Sequence, residues 1–173
     1  VNLIKKEKAL QKLYNKIAPK YKRLITHFGN LNSEIMILGL EPGIKHYRGK
    51  SKSIFRFDFD LILTTGRKSS GVILKVFDKL GLNINDYFWN NLYLVPKEIN
   101  KTRQAFKRLL INEIDIIRPK IILCLGKIVF DTVNDIDLRI KVIRISHPAY
   151  VLYGYPLKSY INEWKEVMRK IGE

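Results

Sequence analysis

Four short stretches of this chain carry side chains able to do acid–base or hydrogen-bonding chemistry, and each ends or follows an apolar run. Gly39-Leu40-Glu41-Pro42-Gly43 comes after Ile35-Met36-Ile37-Leu38, and Asn90-Asn91 lies within Phe88 to Val95. Gly126 closes Ile121 to Leu125, and Ser146-His147-Pro148-Ala149-Tyr150 follows Ile140 to Ile145. A carboxylate can orient or deprotonate water and stabilise a cation. An amide can read a donor–acceptor pattern, and an imidazole can donate a hydrogen bond near neutral pH. Taken singly, each has a structural explanation: Glu41 as a turn residue before Pro and Gly, the two Asn as a polar strand rim, His147 as a loop residue. Convergence from separate strand ends is what marks a site.

The elements that must position these residues follow from apolar periodicity. Leu3, Ile4, Leu10, Leu13, Tyr14 and Ile17 share one stripe and predict a helix over 2–27, with Pro19 a break or a second start. Further helices are predicted for Val72 to Leu80, closed by Gly81, and for Thr102 to Ile117, stopping before Pro119. Lys127 to Val133 and Ser159 to Ile171 complete the set. Between them run strands made almost wholly of Ile, Leu and Val. This alternation predicts an α/β fold: a three-layer α/β/α sandwich with a central four-stranded parallel sheet, plus an N-terminal helix. The chain is expected to be a single domain, 1–173, with 1–27 a helical extension and 33–171 the α/β/α unit. In such sheets ligands bind at the carboxyl ends of the strands, where all four stretches fall.

With 32 Lys plus Arg against 16 Asp plus Glu, the 173 residues carry a formal charge of +16. The excess is clustered: residues 1–27 hold eight Lys/Arg against Glu7 alone, and Lys45, Arg48, Lys50, Lys52 and Arg56 stand together without an acid. A phosphate polymer is the expected partner. Pro42, Gly43, Ser69, Ser70, Gly71 and Ser146 are small or turn-forming residues that could bring backbone N–H groups to phosphates, with Lys45, Arg48 and Lys50 adding charge. The single cysteine, Cys124, sits in an apolar run and is expected to be a buried, inert thiol. Alone it cannot make an intramolecular disulfide or supply the ligands of a zinc or iron–sulfur site. No apolar stretch approaches a membrane span, and Val1 to Lys8 is too charged for the apolar region of a signal peptide, so an intracellular protein is expected.

On these residues the sequence resembles the uracil-DNA glycosylase superfamily, from about residue 33 to 170. Gly39-Leu40-Glu41-Pro42-Gly43 is similar to its first signature, and Gly81-Leu82 with Asp86-Tyr87-Phe88-Trp89-Asn90-Asn91 is similar to the base-reading segment of its thermostable branch. Arg118-Pro119-Lys120 through Leu125-Gly126 resembles the following strand. Ser146-His147-Pro148-Ala149-Tyr150-Val151-Leu152 resembles the His-Pro signature and its Leu-bearing loop. There are departures. The thermostable branch binds an iron–sulfur cluster with four cysteines, which this chain lacks. The acid stands third in the first signature, where that branch has it second, and residues 44–70 fit the family pattern poorly.

The resemblance implies a monofunctional glycosylase of DNA repair that flips uracil out of single- or double-stranded DNA and leaves an abasic site, working as a monomer with no metal or cofactor. It implies that Glu41 positions water and that His147 stabilises the uracil anion. Asn91, by its offset from Gly81, reads the base in preference to Asn90; Leu40 lends a backbone N–H; Phe55 stacks on uracil, with Phe57 in reserve. Leu152 is the expected wedge, with Tyr150 or Tyr153 as alternates, and Pro148 belongs to the same DNA-facing loop. Tyr47 is the candidate for excluding a thymine methyl. Two other outcomes are carried: a catalytically inactive DNA-binding member of the fold, and a glycosylase for another deaminated or mismatched base.

Overall fold

A computed structural model describes residues 3–17, 27–40, 68–92 and 103–172. Its sheet has five strands in the order β1-β3-β2-β4-β5. They are β1 (Phe28–Gly29), β2 (Ile35–Gly39), β3 (Phe88–Asn91), β4 (Ile121–Leu125) and β5 (Lys141–Ile145). β2 to β5 are mutually parallel, as expected from their composition, and β1 is added antiparallel on the outer edge of β3. Two residues of Phe-Gly are too short for any periodic signal, so β1 escapes sequence reading. Its presence also corrects the end of the first predicted helix. α1 spans Leu3–Ile17, and His27 is already outside any helix, leading into the strand.

Helices cover both faces. On one side α1, α3 (Arg103–Ile117) and α4 (Lys127–Asn134) close over Met36, Leu38, Phe88, Ile122 and Cys124. On the other, α2 (Lys68–Leu80) and α6 (Leu157–Gly172) close over Ile37, Trp89, Leu123, Leu125 and Ile145. Successive strand residues thus alternate between two apolar cores, which explains why the strands read as continuous apolar runs. Cys124 is fully buried, and burial pushes its thiol up to about 12, as an inert thiol requires.

Boundaries differ where small residues mask helical spacing. α2 starts at Lys68 rather than Val72, so Ser69 and Ser70 form its first turn instead of a loop. Its end is as expected. Gly81 takes φ +64°, its N–H donates to the carbonyl of Asp78, and the Leu82 N–H donates to that of Phe77, which together form a Schellman closure. α3 stops at Ile117, with Arg118 forced to φ +60° ahead of Pro119. A four-residue helix, α5 (Ala149–Leu152), stands where a loop was expected.

α1 is an integral part of its core. Leu10 and Tyr14 are fully buried, and the buried Lys6 ammonium donates to the carbonyls of Leu31 (2.8 Å) and Ile117 (3.1 Å). The second contact caps α3 at its negative end. Burial, with Arg118 nearby, holds the Lys6 ammonium below the usual lysine range. No described helix is long and apolar enough to cross a membrane.

Candidate active site

Strand order decides where a ligand crevice opens. From β2 the chain runs outward to β3 through α2 on one face, then returns across β2 to β4 through α3 on the other. The direction reverses between β2 and β4. Their carboxyl ends, Gly39 and Leu125, therefore flank the switch point, with Asn91 in register beside Gly39 and Ile145 beside Leu125.

His147, two residues past β5, is held back over this point. Gly126, at φ +98°, lets the chain turn beneath it: a Cβ there would meet the His147 Cβ at 3.2 Å and Cδ2 at 3.6 Å. The Ser146 N–H donates to Glu163 Oε1 on α6 (2.7 Å), and the Ala149 N–H donates to His147 Nδ1 (3.2 Å). An Nδ1 that accepts cannot carry the proton, so the neutral ring is the Nε2–H tautomer. Partial burial depresses the imidazole's pKa below its ordinary value, which favours that neutral form. Among the described residues, Nε2 makes no hydrogen bond.

The two asparagines at the end of β3 diverge. Asn90 is fully buried on the α1 and α3 face, where its amide N donates to Glu113 and to the Tyr14 hydroxyl (3.2 Å). Its carbonyl accepts from the Asn91 N–H (2.8 Å). Asn91 lies on the opposite face and is only 7% exposed, yet among the described residues its side-chain amide has no hydrogen-bond partner. A strand-end amide whose donor and acceptor are taken by none of the described residues is suited to reading a flat polar ligand.

Beyond His147 the chain is internally bonded and presents aromatics outward. Tyr150 donates its N–H to the His147 carbonyl, and Tyr153 and Tyr155 donate theirs to the Tyr150 carbonyl. Tyr150, Leu152 and Tyr155 are exposed, and Tyr153 is 87% exposed. Large apolar side chains held out in water on a short rigid turn indicate a contact surface.

The Uracil DNA glycosylase superfamily profile matches residues 26–169. The chain belongs to that superfamily. Comparison with curated proteins gives no match. Membership in the uracil DNA glycosylase superfamily makes this a protein of glycosylase-type DNA repair whose partner is DNA.

Against that identity, the structure brings Leu40, Asn91, Ser146, His147 and Pro148 to one edge of the superfamily domain, with Tyr150 and Leu152 on the adjoining turn. Leu40 packs half-buried against the core below. Ser69 and Ser70 are half-buried in the first turn of α2, where backbone N–H groups lack intrahelical acceptors. Ser146 is different from expectation: its N–H is taken by Glu163, leaving the hydroxyl as what it can offer a phosphate. Glu41, Pro42, Gly43, Lys45, Tyr47, Arg48, Lys50, Phe55 and Phe57 lie outside the described residues. Sequence reading missed Glu163 and Glu113, although a signal was present. Each is an acid at a position where the apolar stripe of its helix requires an apolar residue: Tyr160, Trp164 and Val167 surround the first, Leu109, Leu110, Ile114 and Ile117 the second.

Proposed function

We propose that the chain hydrolyses the N-glycosidic bond of uracil in DNA by a monofunctional mechanism that leaves an abasic site. The observation that carries this reading is the neutral His147, with Nδ1 occupied by a backbone N–H and Nε2–H available to donate. As the bond between C1′ and N1 breaks, its electron pair moves into the base and negative charge grows on O2. A donor aimed at that oxygen is worth more in the transition state than in the ground state. Glu41, two residues beyond the end of β2, stabilises the sugar cation and takes a proton from the water whose oxygen bonds to C1′. A backbone N–H at Leu40 adds to the oxyanion contacts, and Phe55 stacks on the flipped base.

Asn91 supplies base choice. Its carbonyl accepts from uracil N3–H and its NH2 donates to O4, whereas cytosine offers the reversed pattern and leaves buried groups unpaired at a cost of about 1–3 kcal/mol each. Leu152, with Tyr150 and Tyr153, fills the space left by the flipped nucleotide. Pro42, Gly43, Lys45, Arg48, Lys50, Ser69, Ser70, Ser146 and Pro148 form the phosphate contacts, so binding weakens steeply with salt.

The test is release of uracil from an oligonucleotide carrying one such base, read by alkaline cleavage of the abasic product. Glu41→Ala and His147→Ala are each expected to lose at least about 100-fold in rate. Unchanged release in both variants would overturn the assignment. Tight salt-sensitive binding with no product from the unaltered protein would favour the non-catalytic DNA-binding alternative.

A further inference from the structure

Among the described residues, β1 covers β3 as far as Trp89, which pairs with Phe28. Along a parallel strand, amide groups point alternately to the two neighbours. Leu92 donates its N–H to Gly39 of β2 (2.8 Å), so the Asn91 N–H is directed to the opposite edge, beyond the described extent of β1. There it donates to the side-chain carbonyl of Asn90 (2.8 Å). Asn90 is itself held by two acceptors. Its amide N donates to Glu113 of α3 and to the hydroxyl of Tyr14 of α1, while that hydroxyl donates to Glu113 Oε1 (2.6 Å). Tyr14 and Asn90 are fully buried and Glu113 is 1% exposed. Tyr14 and Glu113 are 99 residues apart in sequence, and Tyr14 lies before the first residue of the superfamily match.

We infer that Tyr14, Glu113 and Asn90 form a positioning network that fixes the backbone of Asn91, through which a helix outside the superfamily segment takes part in base recognition. This inference rests on the base-reading role proposed for Asn91. The bonds interlock: the Tyr14 hydroxyl donates to Glu113 and accepts from Asn90, the Asn90 amide uses both its donor and acceptor sides, and one Glu113 carboxyl oxygen accepts twice. Such a buried polar ring holds a single geometry, because any rotation leaves a polar group unsatisfied in an apolar core. Its output is the torsion between Asn90 and Asn91, and so the aim of the Asn91 amide. The three residues do not touch DNA; they act through Asn91.

The test combines kinetics on a uracil-containing oligonucleotide with hydrogen exchange of the Asn91 amide. Tyr14→Phe preserves ring packing and removes the hydroxyl, Asn90→Ala removes the link, and Glu113→Gln retains an acceptor at the centre. Tyr14→Phe and Asn90→Ala are expected to lower kcat about tenfold with KM for DNA unchanged, since phosphate contacts set KM, and to accelerate exchange at Asn91. Glu113→Gln is expected to retain both properties. Unchanged kcat and exchange in Tyr14→Phe and Asn90→Ala, with kcat lost in Asn91→Ala, would overturn the inference alone. Unchanged kcat in Asn91→Ala would instead overturn the base-reading role and this inference with it.

Discussion

At the residue scale, His147 owes its chemical state to two small neighbours. The N–H of Ala149 occupies Nδ1, and the absence of a side chain at Gly126 leaves room for the ring. Gly126→Ala adds a Cβ within 3.2 Å of the His147 Cβ at a φ that alanine adopts only with strain, so the ring must shift. A fall in kcat of about 10- to 100-fold is expected, with far-ultraviolet circular dichroism retained, because a small misplacement of a catalytic group has an effect of that order. The depressed pKa has a pH consequence. Protonation of His147 should abolish the donor geometry only below its ordinary pKa of 6.5, so the limb of the kcat–pH profile assigned to it by His147→Asn is expected below that value. A limb centred at or above 6.5 would count against the neutral ring.

At the element scale, helix ends and helix stripes set the site. α6 reaches the His147 loop through Glu163, and α1 caps α3 through Lys6, both by polar residues placed on buried stripes. The end of α3 carries strain: Arg118 sits at φ +60°, a region costly to any residue with a Cβ. Arg118→Gly should relieve it and also remove the charge that disfavours the Lys6 ammonium. Unfolding free energy is expected to rise by about 0.5–1 kcal/mol, read from urea denaturation at constant slope. Apart from the end of α1, expected at 27 and found at Ile17, helix and strand positions were legible in the sequence to within a few residues because apolar spacing is a local property. β1, the first turn of α2 and α5 were not, since two-residue strands and turns of Ser or Pro carry no period.

At the scale of the whole molecule, the buried carboxyl of Glu113 links folding to pH. Burial pushes it up to about 8, against the hydrogen bonds from Tyr14 and Asn90, which act in the other direction. An acid whose folded pKa is raised binds its proton more tightly when folded. Its stabilising contribution is complete below the unfolded value of 4.5 and is lost as pH rises through about 8. His147 has the opposite sign: its contribution is present above 6.5 and lost as pH falls through its lowered folded value. Between pH 6.5 and 8, therefore, Glu113 is the one of the two still titrating, and Tm is expected to fall across that interval. Glu113→Gln should flatten the slope; an unchanged slope in that variant would place the titrating group elsewhere.

The sequence by itself determined the α/β/α layering, the parallel orientation of four strands, the basic charge and the assembly of Asn, Gly and His-bearing stretches at one sheet edge. Each depends on residue types within a few positions of one another, and strand ends converge once the strands are parallel. Tertiary structure alone decided that Asn90 is committed to the core while the Asn91 amide meets no described partner, and that Glu163 anchors the His147 loop. Those outcomes depend on hydrogen bonds between groups as far as 99 residues apart, and no local pattern specifies which acceptor will meet which donor.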